Sequence, residues 1–201
     1  MLKRAFDILL ALCGLIITLP LLIIISLAIK TEDGGPVLFR QVRIGRYGKP
    51  FTIWKFRSMS ITKPVPINGF EPGNKSRITK TGLFIRKTKL DELPQLLNVL
   101  KGDMSFVGPR PEVAYWVNKF PARWNYIHQV RPGITDNASI EFRNEEDLLA
   151  KSPNPEAEYE QRILPRKLSL YEDYIRNKSL AGDIKIMRLT IYSLINRKFT
   201  S

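Results

Sequence analysis

No charged residue interrupts the chain from Ile8 to Ile29, ILLALCGLIITLPLLIIISLAI, and the apolar run has no polar face. As an α-helix these 22 residues rise ~33 Å, enough to cross the hydrocarbon core of a bilayer. A helix apolar on every side suits lipid better than the surface of a soluble domain. The run is too long for the core of a signal peptide, and no small-residue cleavage site follows it. Pro20 stands near its middle, where it removes a helical hydrogen bond and bends the chain. Lys3 and Arg4 precede the run and a basic body follows it, so both ends are drawn to the cytoplasmic side. Together these signs predict a membrane-embedded re-entrant helix over residues 1–30 and a cytoplasmic domain over 31–201. Asp7, at the entrance, is a partner for Arg4 or simply an acid suited to a helix start.

Glu32 to Pro36 breaks the helical pattern. Val37–Phe39 and Phe51–Phe56 predict two short strands, with a glycine-bearing loop from Arg40 to Pro50 between them. Residues 61–79 are rich in Pro, Gly, Asn and Ser and predict a surface loop. Leu90, Leu93, Leu96, Leu97 and Leu100 then recur at helical spacing, with Asp91 and Glu92 pointing away from that face. Pro94 places the helix start near Leu90–Asp91, or near Thr88 with a bend at Pro94. Further on, Tyr115, Trp116, Phe120 and Trp124 suggest an aromatic-rich helix, and Glu145–Asp147 and Lys151–Pro155 a surface loop. A helix interrupted at Pro165 spans Glu156–Tyr174. Ile184, Met187, Ile191 and Leu194/Ile195 form a last apolar face, facing the core or the membrane interface, with Lys185, Arg188, Arg197 and Lys198 near headgroups in the second case.

Charge narrows the partners. The 201 residues carry a formal net charge of +13, and the excess is uneven. Residues 1–140 hold 21 basic and 9 acidic side chains, residues 141–201 hold 11 and 10. From Gly34 to Thr62 there are six basic residues and no acid, a stripe suited to phosphates or anionic headgroups, or simply solvated. One cysteine (Cys13) and one histidine (His128) exclude an internal disulfide and a zinc site built from several Cys and His. A triad would rest entirely on His128, which reads better as structural. No Walker loop or dinucleotide fingerprint occurs. Carboxylates and basic side chains remain as the candidate chemistry.

Asp91 and Glu92, with Arg86, Lys87 and Lys89 beside them, stand at a helix N-terminus in either reading of Pro94. Such a place favours ionised carboxylates and attracts phosphate. An Asp beside a divalent ion is a competent nucleophile toward a phosphoanhydride; ordinary capping is the bland alternative. Gly102–Pro111 frames Arg110 in a Gly/Pro loop, and Val130–Thr135 does the same for Arg131, a setting suited to bidentate phosphate contact.

The order of these segments resembles the bacterial sugar transferase family of monotopic polyprenyl-phosphate phosphoglycosyl transferases. The matching stretches are Lys3-Arg4-x-Phe6-Asp7, the proline-broken run, Gly35-Pro36-Val37-Leu38-Phe39-x-Gln41-x-Arg43-x-Gly45 and Trp54-Lys55-Phe56-Arg57-Ser58-Met59. They continue with Leu90-Asp91-Glu92-Leu93-Pro94-Gln95, Asn98-Val99-Leu100-x-Gly102-Asp103-Met104-Ser105, Val107-Gly108-Pro109-Arg110-Pro111 and Val130-Arg131-Pro132-Gly133-Ile134-Thr135. The resemblance implies an α+β fold: a re-entrant membrane helix on a mostly helical cytoplasmic domain, with a small β-hairpin or sheet and amphipathic interfacial helices. It implies that Asp91 attacks the β-phosphate of a UDP-sugar, releases UMP, and passes the phosphosugar to a polyprenyl (undecaprenyl) phosphate, the opening step of glycoconjugate assembly. Asp91 and Glu92 would be catalytic and would hold Mg²⁺; Lys55, Arg57, Arg86, Arg110 and Arg131 would bind the substrate phosphates.

The implied partners are the nucleotide sugar, the polyprenyl phosphate and membrane lipids, with no nucleic acid and homo-oligomerisation left open. The implied location is the cytoplasmic face of the bacterial inner membrane. The chain reads as the minimal form of such an enzyme. Two departures stand out: Leu19, preceded by Thr18, where the family often has Ser before the proline, and Asp136-Asn137-Ala138-Ser139 where many members have Gly-Trp-Ala-Gln. The second leaves the donor sugar open. A membrane-tethered nucleic-acid or lipid-binding protein rests on charge alone, without a recognisable motif. A phosphohydrolase using the same Asp–Mg²⁺ pair would differ only in taking water as acceptor.

Overall fold

The structure is a computed structural model that describes residues 2–60 and 77–196. Most of the 61–79 segment, and Arg197 and Lys198, lie outside the described residues. The fold is α+β, predominantly helical, and the described residues form two sheets of two strands each. By its contacts the chain divides into two units: residues 2–42, 51–60 and 77–104 in the first, residues 43–50 and 105–196 in the second.

In the first unit α1 runs as one element from Leu2 to Asp33, with Pro20 inside it. The proline does not split the run into two helices. Thr18 and Ser26 return their hydroxyls to the carbonyls four residues back, Gly14 and Leu22, at 2.6 Å each, so these hydroxyls stay satisfied in an apolar stretch. Asp7, Ala11, Ile25 and Ile29 make the buried stripe, while Ile16, Ile17, Ile24 and Leu27 are each at least 60 % exposed. That outward surface is continuous and apolar, the kind that a bilayer covers. Gly34, at φ +70°, stops the helix where the breaker was expected.

Strands β1 (Leu38–Ile44) and β2 (Pro50–Phe56) form a hairpin. β1 thus runs five residues beyond the predicted Val37–Phe39, because Arg40–Ile44 still pairs; only 45–49 turns. Helix α2 (Lys80–Lys87) is capped by Thr79, whose hydroxyl accepts from the Gly82 amide at 2.9 Å. Ile25 and Ile29 of α1, Phe56 of β2 and Ile85 of α2 close the core of this unit. Helix α3 (Gln95–Lys101) packs along α1. At its C-terminal end Arg4 donates to the carbonyls of Val99 (2.6 Å) and Leu100 (3.0 Å), groups that a helix end leaves without partners.

The second unit is built on a strap of two three-residue strands, β3 (Ser105–Val107) and β4 (Gly133–Thr135), paired in parallel. Helices α4 (Ala114–Val117) and α5 (Pro121–Ile127) carry Trp116 and Trp124 into its core. They replace the single aromatic helix expected from sequence, since Pro121 restarts the chain. Then come α6 (Asn137–Glu141), α7 (Glu145–Ala150) and α8 (Pro155–Glu158). The acids expected in a loop, Glu145–Asp147, instead open α7, where negative charge suits the helix dipole. A π-turn at Tyr159–Ile163 leads into α9 (Leu164–Arg176), with Pro165 in its first turn. Helix α10 (Leu180–Ile195) lies on β3 and β4. It buries Ile186, while Ile184, Ile191 and Ile195 face outward, so the expected apolar face is mostly an exposed one.

Glu112 joins several elements of this unit. It pairs with Arg43, accepts from the Tyr159 hydroxyl at 2.7 Å and from the Val113 amide at 3.0 Å. Burial alone would raise its affinity for a proton. Arg43, Lys167 and the hydroxyl and amide donors outweigh burial, and hold the carboxyl below the usual range.

This packing makes glycine substitutions and acidification informative. A Cβ at Gly82 would sit 2.0 Å from the Ser58 carbonyl oxygen, and one at Gly133 2.2 Å from the Gly108 amide nitrogen. Gly82→Ala and Gly133→Ala should therefore fail to give folded protein. Gly48→Ala, at φ +70° in open space, should cost only about 1 kcal/mol in thermal unfolding. A lowered carboxyl stabilises the fold above its unfolded value and loses that contribution as pH falls through the folded one. Stability should therefore drop on acidification below about pH 4.3. Glu112→Gln should flatten that part of the profile and cost about 2–3 kcal/mol at neutral pH, measured by denaturant titration at several pH values.

Candidate active site

Lys89, at φ +58°, turns the chain sharply after α2, and Leu90–Glu92 follows as one 3₁₀ turn. Pro94 caps α3, where its missing N–H costs nothing. The helix therefore begins at Gln95, later than either start read from the sequence, and the two carboxylates precede it by a turn. The burial is also inverted. Asp91 (9 % exposed), Gln95 (0 %) and Asn98 (0 %) are buried together with Leu96 and Val99, whereas Leu90, Leu93, Leu97 and Leu100 do not form the uniformly buried face that their spacing suggested. Asp91 does not point away from the packed side; it belongs to it.

Asn98 explains how a polar stripe can be packed there. Its Oδ1 accepts from the Trp54 amide at 3.1 Å and its Nδ2 donates to the Thr52 carbonyl at 2.7 Å. The carboxamide thus replaces a strand partner for β2 and fixes that strand against α3. One residue beyond Trp54, Lys55 reaches Glu92 Oε1 at 2.8 Å. Lys55 and Arg86 also act on Asp91, and Arg86 lies 3.5 Å from the Ser58 hydroxyl.

Asp91 Oδ1 is buried and has no hydrogen-bond partner among the described residues. Burial pushes its carboxyl above the usual carboxylate range; Lys55 opposes the rise, Glu92 adds to it, and Lys89 and Arg86 oppose it. Desolvation wins over three nearby cations. A ligand that brings positive charge or hydrogen-bond donors to Oδ1 would favour the ionised carboxylate there.

The predicted phosphate-binding residues separate. Lys55 and Arg86 accompany Asp91 and Glu92 in the first unit. Arg57 is engaged within the scaffold of that unit. It is 6 % exposed, forms a two-pronged pair with Asp33 and donates to the Pro36 carbonyl at 2.6 Å, locking the end of α1 to β2. Much of the basic stripe is likewise engaged within the protein. Arg40 lies over Trp54, Arg43 pairs with Glu112, and Arg46 donates to the Gln129 carbonyl at 3.1 Å.

Arg110 and Arg131 belong to the second unit, on two loops laced together. Ser105 N–H donates to Pro132 O (2.9 Å), Gly108 N–H to Thr135 O (3.1 Å) and Gly133 N–H to Pro109 O (3.0 Å). Gly108 and Gly133 allow backbones to approach where any side chain would collide. Arg110 lines a cavity of about 260 Å³, together with Arg43, Glu112, Lys167, Tyr159 and Tyr171. Asp136 and Ser139 of the departing Asp-Asn-Ala-Ser segment are tied to each other: Asp136 caps α6 by accepting from the Ser139 amide (2.9 Å) and hydroxyl (2.7 Å). His128 is stacked on Trp124 in the core, and burial lowers its proton affinity, as suits a structural residue.

Among the described residues no three His, Cys, Asp or Glu side chains converge as a metal cage. Mg²⁺ does not require one, since it is commonly held by one or two carboxylates, waters and substrate phosphates. The donorless Asp91 Oδ1 fits that role; Glu92 is already engaged by Lys55. Sequence reasoning missed Gln95, Asn98, Asp33 and Glu112. The available signal was the pair of amides set among the leucines of Leu93–Leu100, a polar stripe at helical spacing within an apolar one.

Comparison with known proteins bears on this arrangement. The model of a family described as bacterial sugar transferase matches residues 1–197. A UDP-glucose:undecaprenyl-phosphate glucose-1-phosphate transferase of Escherichia coli K12 is 42 % identical over 196 residues, covering 96 % of this chain and 40 % of that protein. An undecaprenyl-phosphate galactose phosphotransferase of Salmonella typhimurium is 38 % identical, over 98 % of this chain and 41 % of its own length. The chain thus spans about two fifths of these two relatives. A Bacillus subtilis protein named as an uncharacterized sugar transferase, EpsL, is 38 % identical over 96 % of this chain and 87 % of its own length. With Asp91-Glu92 and the two laced arginine loops inside a match of this extent, the chain belongs to the bacterial sugar transferase family.

Proposed function

We propose that this chain is a phosphoglycosyl transferase that moves a sugar 1-phosphate from a UDP-sugar to undecaprenyl phosphate, through a phosphosugar carried on Asp91. One observation carries the reading: a buried Asp91 oxygen without a donor, next to the Lys55–Glu92 pair. The names of the similar proteins support the substrate classes, and they differ in the sugar, glucose in one and galactose in another.

In the first displacement a carboxylate oxygen of Asp91 attacks the β-phosphorus of the donor. The bond from that phosphorus to the bridging oxygen breaks, and UMP leaves with the electron pair. In the second, an oxygen of the polyprenyl phosphate attacks the same phosphorus and the Asp91 carboxylate is restored. UDP-sugar and polyprenyl phosphate thus give UMP and a polyprenyl diphosphate sugar, and two displacements at one nucleophile predict ping-pong kinetics. Lys55 and Arg86 supply the positive field that draws an anionic donor toward an anionic nucleophile. Glu92 is held in place by Lys55, ready to assist at the phosphate or its ion. Asp91, alone or with Glu92, would hold Mg²⁺, which when bound neutralises phosphate charge. Arg110 and Arg131, rigid on their laced loops, suit further phosphate contacts.

A polyprenyl acceptor is confined to a bilayer, so the nucleophile must work at its surface. The outward apolar side of α1, flanked by Lys3, Arg4 and Lys30, suits an embedded helix with both ends on the cytoplasmic face of a bacterial inner membrane. The product is the kind of lipid-linked sugar on which glycoconjugate assembly begins.

Asp91→Asn should lower UMP release from a UDP-sugar by at least ~10³-fold, and mass spectrometry of enzyme quenched without acceptor should place a phosphosugar on Asp91. Full activity of Asp91→Asn, or an adduct elsewhere, would refute the nucleophile. Chelation of divalent ions should stop UMP release and added Mg²⁺ should restore it. If the sugar phosphate appears in water instead of on the lipid, the protein is a hydrolase. Lys55→Met should slow turnover ~10–100-fold, because Glu92 loses its partner and Asp91 its strongest opposing charge; unchanged turnover would remove Lys55 from the site.

A further inference from the structure

Gln95 serves neither the hairpin nor the Lys55–Glu92 pair. It opens α3, is 0 % exposed, and neither Oε1 nor Nε2 has a hydrogen-bond partner among the described residues. Asp91 Oδ1, four residues earlier, is in the same condition. Both residues lie on one buried stripe with Asn98, whose carboxamide is engaged by β2 and Asp103. A buried amide without partners destabilises a fold, and a methionine or leucine would fill the same space without that penalty.

Two orphaned polar side chains on one stripe, one of them the proposed nucleophile, have a common explanation in a ligand that reaches both. Asp91 Oδ1 can only accept or coordinate, so the ligand brings it a cation or a donor. The Gln95 carboxamide both donates and accepts. An oxygen-rich group meets these demands: a phosphoryl oxygen takes the Nε2 hydrogens, and a water carried by a divalent ion gives a hydrogen to Oε1.

We propose that Gln95 is a ligand-contacting residue of the Asp91 site, its carboxamide left unpaired in the free protein so that it can bind the phosphoryl oxygens of the donor or the water shell of the accompanying ion. The inference rests on the reading of Asp91 given above. It makes stability and activity move in opposite directions, which a packing role does not.

The deciding variant is Gln95→Met, close in shape and free of polar atoms. In the absence of ligand its Tm should rise by about 2–4 °C, while UMP release falls ~10–100-fold. Binding then separates the two sources. Weakened affinity for Mn²⁺ alone, read by electron paramagnetic resonance, assigns the contact to the water shell of the ion. Unchanged Mn²⁺ affinity with weakened UDP binding assigns it to the phosphoryl oxygens. Wild-type UMP release with unchanged Mn²⁺ and UDP binding overturns the proposal. Should Gln95→Met not fold, Gln95→Asn keeps the amide but withdraws it by one methylene; it should lose activity without gaining Tm, and full activity there overturns the proposal equally. The reading of Asp91 is judged separately, by Asp91→Asn: its full activity ends both, whereas an inactive Asp91→Asn beside a fully active Gln95→Met ends only this one.

Discussion

The carboxamide of Asn98 gives its oxygen to the Trp54 amide and its nitrogen to the Thr52 carbonyl, and the geometry around Asp91 descends from that exchange. A backbone pair left open inside a protein is costly, and a single side chain that satisfies both groups sets position as well as energy. With β2 fixed against α3, Lys55 falls where it can reach Glu92. With Glu92 held, the 3₁₀ turn that presents Asp91 has one orientation. Arg4 extends the same logic to the other end of α3: by bonding the last carbonyls it joins that helix to α1. The position of Asp91 relative to α1 is thus set by polar contacts within one unit rather than by a flexible tether.

The second unit solves a related problem with glycine instead of an amide. Strands of three residues cannot hold a pairing by themselves, and β3 and β4 are distant in the chain. The absence of side chains at Gly108 and Gly133 lets the loop after β3 and the loop before β4 interlock, and proline on each loop limits what remains of their freedom. Two arginines on loops this constrained lose little entropy on meeting an anion. The net charge of +13 is therefore a poor guide to where anions bind. Arg57, Arg43 and Arg40 engage Asp33, Glu112 and Trp54 within the protein.

Much of this was legible in the amino-acid sequence, for reasons that also mark where it stops. The α1 run, the hairpin and the helical stretch after Pro94 announce themselves through local periodicity and breakers, which act over a few residues. The parallel β3–β4 strap does not, because its partners are 28 residues apart in the register Ser105–Gly133 and each strand is too short to show alternation. Burial misled at Asp91: the leucines suggested the packed face, but α3 turns its amide-bearing side inward because β2 offers backbone groups that only a polar side chain can satisfy. The Arg57–Asp33 pair was hidden for the same kind of reason, because only the fold brings these two residues together.

Two adjacent carboxylates gain different roles from their surroundings alone. Glu92 has a cation at 2.8 Å; Asp91 has cations nearby but no hydrogen bond to its buried Oδ1 among the described residues, and burial raises its carboxyl above the usual range. A buried carboxyl in that setting is favoured in its ionised form by a ligand that brings positive charge, as a cation accompanying the proposed donor's phosphates would. An aspartate kept fully ionised by permanent partners would be better solvated and less reactive, and would attract any passing cation. Leaving those partners to the proposed donor would give selectivity as well as rate, and would account for an unsatisfied stripe at Asp91 and Gln95.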